Sequence, residues 1–78
     1  MIVVLLDSSV LTSAAYDEDK RTLRLTFASG DVYEYEDIPD YLFAVLIRAE
    51  SPGSIFNEGI RPNFKGKLIE RATPHPDP

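Results

Sequence analysis

The chain has no cysteine and no tryptophan, and only one histidine among its 78 residues. Without cysteine there is no disulfide framework, no thiolate zinc site and no cysteine nucleophile. His75 sits between two prolines near the C-terminus, where nothing fixes its tautomer, so the usual general base and metal ligand is effectively missing. Basic residues are also scarce. Eight of them against thirteen acids give 8 − 13 = −5 at pH 7, which argues against a general nucleic-acid-coating protein. Long apolar runs are absent too: Ile2–Leu6 is five residues, far short of the ~20 that span a bilayer. No base precedes that run and Asp7 follows it directly, which fits a signal peptide poorly. The expectation is a cytoplasmic protein without membrane contact, metal, cofactor or catalytic machinery. A chain of this length makes one small domain, burying only about 60–65% of its unfolded surface, so each apolar side chain counts.

What is present reads mainly as antiparallel sheet followed by helix. Ile2–Leu6 is a buried strand or a packed leader. Ser8–Tyr16, rich in small and β-branched residues, ends at Asp17-Glu18-Asp19-Lys20-Arg21, a charge run that makes a solvated hairpin tip. Thr22–Phe27 alternates, with Leu23, Leu25 and Phe27 on one face. Ser29-Gly30-Asp31 is a tight turn, glycine supplying positive φ, and Val32–Glu36 alternates again with Tyr33 and Tyr35 together. The connections are too short for crossover helices, so the pattern predicts an α+β fold: a three-stranded antiparallel meander packed on one main helix, plus a short second helical turn. The helix is expected over Pro39–Glu50, with proline in its first turn and aspartates at its positive end. Ser51-Pro52-Gly53 should stop it. A single turn is expected over Ser54–Glu58, closed by Gly59, then an extended or turn segment at Ile60–Phe64. Lys65–Arg71 is a short last strand or a basic exit. The domain is expected to span residues 1–72, with 73–78 a disordered proline-rich tail.

Few residues suggest chemistry. Asp7 follows an apolar run as some metal-binding aspartates do, but a hard cation needs several converging oxygens. Asp17, Glu18 and Asp19 lack the spacing of a calcium loop. Glu34 and Glu36 fall on the polar face of an antiparallel strand, which requires no catalytic reason. Tyr33 and Tyr35 carry more information. On an exposed sheet face such a pair stacks bases; on a buried face it is core with its hydroxyls at the edge. Burial is favoured, because the opposite face holds Val32, Glu34 and Glu36.

An ordered series of residues resembles the KTSC domain: Ser8-Ser9, Tyr16-Asp17, Leu23-x-Leu25-x-Phe27, Gly30-x-x-Tyr33-x-Tyr35 and Ile38-Pro39. It continues with Leu46, Ala49-x-Ser51-x-Gly53-Ser54-x-Phe56-Asn57 and Ile60-Arg61. The resemblance covers about residues 8–64. KTSC domains occur at the C-terminus of some lysyl-tRNA synthetases and as stand-alone bacterial proteins. The resemblance implies a domain of unknown function, with RNA binding suggested by the synthetase association and no catalytic residue or cofactor to carry over. It also turns Leu42, Phe43, Leu46 and Ala49 of the helix inward, leaving Tyr41, Val45 and Arg48 nearer solvent. The family's C-terminal end is more aromatic and basic than Phe64, Lys65 and Lys67 here, which weakens an RNA reading.

Two functional classes follow, neither of them catalytic. The favoured one is a protein-interaction or self-associating module, because a short, 44% apolar chain is hard to cover and Ile2–Leu6, Tyr41 and Val45 can leave a patch exposed. The alternative is a module for RNA or another phosphate-bearing ligand. Residues 1–57 carry four bases and ten acids (−6), 58–71 four and two (+2), and the remainder −1. A basic segment thus sits on an acidic body. The ligand-binding candidates are Tyr33, Tyr35, Asn57, Arg61, Lys65 and Lys67, Arg61 lying beside the tyrosines with Ile60 anchored inward. The competing role for Arg61 is structural, pairing with a carboxylate or helix-end carbonyls while Asn57 caps a turn.

Overall fold

The computed structural model describes residues 1–72; the expected proline-rich tail, His75 included, lies outside them. Five strands form one antiparallel sheet in chain order: β1 (Ile2–Leu5), β2 (Leu11–Asp17), β3 (Thr22–Phe27), β4 (Val32–Tyr35) and β5 (Gly66–Glu70). Between β4 and β5 come helix α1 (Asp40–Arg48) and helix α2 (Pro52–Ile55), the latter running into a π-helical turn at Phe56–Ile60. The expected three-stranded meander is therefore β2–β4, and the count is corrected to five by a strand on each margin. Both additions escape period-two reading for a physical reason. Ile2–Leu6 is unbroken apolar sequence, and β5 is exposed along its whole length, so neither alternates.

The central register brings the apolar faces together. Tyr16 is opposite Leu23, which is opposite Tyr35; Ala14, Leu25 and Tyr33 form the next row. These side chains face the helical layer, and Leu11, Tyr16, Leu23, Leu25, Ile38, Leu46 and Ile60 are fully buried. Phe27 and Tyr33 are half-buried beside them. Among the described residues the other face bears no helix. It carries Ala15, Arg24, Glu34 and Lys67 in one cross-strand row, with Arg24 and Glu34 paired at 3.1 Å.

Turn chemistry sets the hairpins. Asp17 accepts from the backbone N–H groups of Asp19 and Lys20 (3.0 and 3.3 Å), an Asx turn that makes the acidic cluster a hairpin tip rather than a metal site. Arg21 follows with φ 57°. Gly30 turns the next hairpin at φ 100°. The entry to α1 is clasped back onto the first of these turns. Ile38 N–H donates to the Arg21 carbonyl at 2.9 Å, and the Tyr16 hydroxyl donates to the Ile38 carbonyl at 2.5 Å.

Helix α1 is shorter than expected, because Pro39 stays extended at the cap and Ala49 leaves the helix. Its inward face is the anticipated one: Phe43 and Leu46 are buried, Leu42 and Ala49 half-buried, Tyr41, Val45 and Arg48 exposed. Phe43 stacks on Tyr16 with ring centroids 4.9 Å apart. Pro52 and Gly53 do not merely stop this helix. They open α2, with proline in its first turn where a missing N–H costs nothing. The second turn is likewise not closed by Gly59, which lies inside the π-helical turn. One burial expectation is overturned: β1 is a strand, but Ile2, Val3 and Leu5 are exposed, Leu5 by 84%. At the sheet margin only Val4 and Leu6 reach the core.

Candidate functional site

Four aromatic rings close a square on the helical side of the sheet. Phe27 meets Tyr33 edge-on at 5.6 Å and Phe56 edge-on at 5.2 Å; Phe56 meets Tyr35 edge-on at 5.6 Å; Tyr35 and Tyr33 complete the figure at 6.5 Å, inclined by 27°. Two residues apart on β4, the tyrosines share one face, and Phe27 on the neighbouring strand and Phe56 from the π-helical turn fill the remaining corners. Edge-to-face contacts set the positive rim of one ring against the negative face of another, which holds the group in a defined geometry.

Above these rings lies a cavity of about 480 Å³ lined by Val10, Phe27, Tyr33, Tyr35, Phe56, Asn57 and Arg61. Asn57 and Arg61 reach it because they are one helical turn apart and so project to the same side. The π geometry contributes: Arg61 N–H donates to the Phe56 carbonyl at 2.8 Å, an i→i+5 bond that widens the turn. Such bulges occur often at functional sites. Ile60 is fully buried and anchors the segment while Arg61 and Asn57 stay exposed.

Electrostatics tie the parts together. Burial pushes the Tyr35 hydroxyl above its ordinary range; neighbouring Tyr33 pushes the same way and the Arg61 guanidinium opposes both. Among the described residues the single ion pair is Arg24–Glu34, so the carboxylate form of the competing structural role for Arg61 has no partner there. The turn-capping amide is Asn63, donating to the Gly59 carbonyl at 3.0 Å, which leaves the Asn57 carboxamide for the cavity.

Of the six candidates, the structure unites Tyr33, Tyr35, Asn57 and Arg61 and separates the two lysines. Lys67 is opposite Glu34, on the sheet face away from the rings, and Lys65 precedes β5 without lining the cavity. The basic segment is divided because Arg61 caps the π-helical turn beside the cavity, whereas Lys67 takes a β5 position opposite Glu34 on the other face. Val10, Phe27 and Phe56 were not among the candidates. Phe27 and Phe56 read as core, and nothing in the sequence around Val10 distinguishes it. Gly66 is a further unanticipated contributor. It is opposite Tyr35, and a Cβ there would collide with the Tyr35 ring, so the tyrosine lies flat over the β5 backbone.

A second opening, about 470 Å³, lies at the other margin, lined mainly by Ile2, Tyr16, Tyr41, Phe43, Ala44 and Ile47, with Glu18 and Asp40 at its rim. No cluster of three or more His, Cys, Asp or Glu side chains suited to a metal occurs among the described residues. No described helix is long and apolar enough to cross a membrane.

Comparison with known proteins bears on the whole arrangement. An uncharacterised protein from Stutzerimonas stutzeri is 39% identical over 59 residues, covering 76% of this chain and 83% of its own. A Tsukamurella paurometabola protein is 35% identical over 63 residues, covering 81% and 94%. A lysine–tRNA ligase from Nostoc punctiforme is 37% identical over 59 residues, 76% of this chain but only 10% of the ligase. The crystal structure of a KTSC domain protein from Yersinia pestis superposes with a TM-score of 0.83 at 28% identity, covering 88% of this chain and 97% of that one. Residues 7–64 match the KTSC domain, and they hold β2–β4, both helices and the four-ring cavity, with β1 and β5 outside. The chain belongs to the KTSC domain family.

Proposed function

We propose that this KTSC domain is a non-catalytic binding module whose ligand carries a phosphate and a flat ring, as a nucleotide or a stretch of RNA does. The observation that carries the reading is the convergence of Arg61 and Asn57 on a cavity floored by four aromatic rings. A guanidinium fork matches phosphate oxygens, aromatic surface stacks on a base, and a carboxamide offers both a donor and an acceptor. The cavity is of a size that holds a small ligand. On a body of net charge −5, a guanidinium with no carboxylate partner among the described residues is where an anion is tolerated. That a lysine–tRNA ligase carries a related segment supports a ligand of this class.

The test is titration of the full chain with nucleoside monophosphates and with a short single-stranded RNA at low salt, read by NMR shifts of the Tyr33, Tyr35 and Arg61 signals. Binding should weaken as salt rises, and Arg61→Ala should abolish it while leaving the melting temperature unchanged. A silent titration together with a destabilised Arg61→Ala would make the arginine structural and retire the proposal.

A further inference from the structure

Among the described residues the five-stranded sheet is open at both edges, and these are built differently. The β5 edge carries Lys67 and Glu70 within the strand, with Lys65 and Arg71 beside it, and a register irregularity where it meets the start of β4. Charges and bulges are how sheets keep an edge from pairing with another chain. The β1 edge has neither: Met1–Leu6 holds no charged residue and no proline, and its register against β2 is regular from Ile2 to Leu5. Leu6 N–H donates to the Thr12 carbonyl at 2.9 Å. In that register Ile2, Val4 and Leu6 turn their backbone groups toward β2, and Val3 and Leu5 present theirs outward.

We infer that this edge pairs with a second copy of the chain, β1 against β1 in antiparallel register about a two-fold axis at Val4. Of the registers that satisfy the outward backbone groups, only this one lays the apolar run Ile2–Leu6 wholly over itself. Val3 is then opposite the second copy's Leu5 and Leu5 opposite its Val3, giving four hydrogen bonds. Shifting the axis to Val3 or Leu5 leaves Leu5 facing Met1, or Val3 facing Asp7. On the helical side, Val4 meets its own mate and Ile2 meets the second copy's Leu6. Val4 and Leu6 already pack on the core, so the two cores become continuous across the seam. Ile2 also borders the apolar opening beside Tyr41, Ala44 and Ile47, and the second copy closes it from the strand side. On the open face, Val3 and Leu5, exposed by 64% and 84%, shield one another. Pairing β1 with β5 instead would be head-to-tail and open-ended, and the β5 charges oppose it. The inference is independent of the aromatic cavity, which lies at the far side of the sheet.

Light scattering coupled to size exclusion, across a concentration series of the full chain, should give twice the 8.7 kDa protomer mass. Val3 and Leu5 point into solvent in the protomer, so charge there leaves the fold intact, which a melt confirms. The double variants V3K/L5K and V3E/L5E should each be monomeric, because each places like charges opposite one another across the seam, weakening association about tenfold or more. Mixed one to one, they should restore the dimer. With no other cysteine in the chain, Val4→Cys should form an intermolecular disulfide under air, since the pair on the axis is the close, non-hydrogen-bonded kind. A monomer at every concentration would overturn the inference, as would lysine variants that stay dimeric or open-ended assembly without a defined mass.

Discussion

Removing one oxygen atom, as Tyr16→Phe does, tests the clasp between the first hairpin tip and the entry to α1. The hydroxyl is the donor to the Ile38 carbonyl at 2.5 Å, and Ile38 is fully buried, so water does not replace the lost donor. Leaving a buried acceptor unmet costs about 1–3 kcal/mol, a large fraction of the roughly 4–12 kcal/mol that hold a chain of this size together. Stacking on Phe43 survives the change, because the ring is kept. At about 2 kcal/mol, and roughly 4–8 °C per kcal/mol for a small domain, the melting temperature should fall by about 8–16 °C. A second reading comes from alkaline pH. Burial pushes the Tyr16 hydroxyl upward, Asp40 and Glu18 add to it, and Arg21 opposes. The unfolded chain ionises this group near pH 10, the folded chain only above that. Its contribution is therefore whole below about pH 10 and drains away as pH climbs through the raised folded value. Urea melts of wild type and Tyr16→Phe should accordingly differ most at neutral pH and converge as alkalinity rises, with Tyr41→Phe, on an exposed ring, as the silent control. A Tyr16→Phe protein melting within two degrees of wild type at pH 7 would refute the clasp.

Leu46→Ala removes a fully buried side chain from the inward face of α1 and should cost about 2–5 kcal/mol, measured by chemical denaturation; Phe56→Ala should fall in the same range and also open one corner of the aromatic square. Gly66→Val should weaken both β5 and the cavity, because the new Cβ displaces the Tyr35 ring; near-ultraviolet circular dichroism should report the ring's movement and a lowered melting temperature its cost.

The centre of this molecule was legible in its sequence and the margins were not. Leu23-x-Leu25 and Tyr33-x-Tyr35 alternate because both strands have one face against helices and one against water, so periodicity reports burial directly. Val3 and Leu5 carry the same apolar chemistry but face solvent on the uncovered side of the sheet, and β5 is exposed throughout; such strands exist by pairing, which a single segment does not reveal. The residues that match the family, 7–64, hold the three strands of the expected meander, two of which alternate. The site divided along similar lines. Arg61 is legible through the inward anchoring of Ile60 just before it, and the tyrosines through alternation. Lys65 and Lys67 follow Arg61 closely in sequence but not in space, since Lys67 lies opposite Glu34 on the far face of the sheet.

The nearest-neighbour order of the sheet governs how the chain assembles. Three of its four seams join segments separated by a few residues, so their loops close quickly and at little entropic cost. The fourth, between β4 and β5, spans the whole helical layer from Glu36 to Lys65 and closes only once that layer is in place. Folding should therefore proceed as local zippering from β1 to β4, with β5 arriving last, which pulse-labelled amide exchange during refolding checks. The same order means that β5 is not threaded between others, so it detaches by breaking one seam alone. Amide exchange should accordingly be slowest in β3 and fastest in β5. A ligand resting on the rings of β4 would slow the opening of β5, whose Gly66 lies beneath Tyr35.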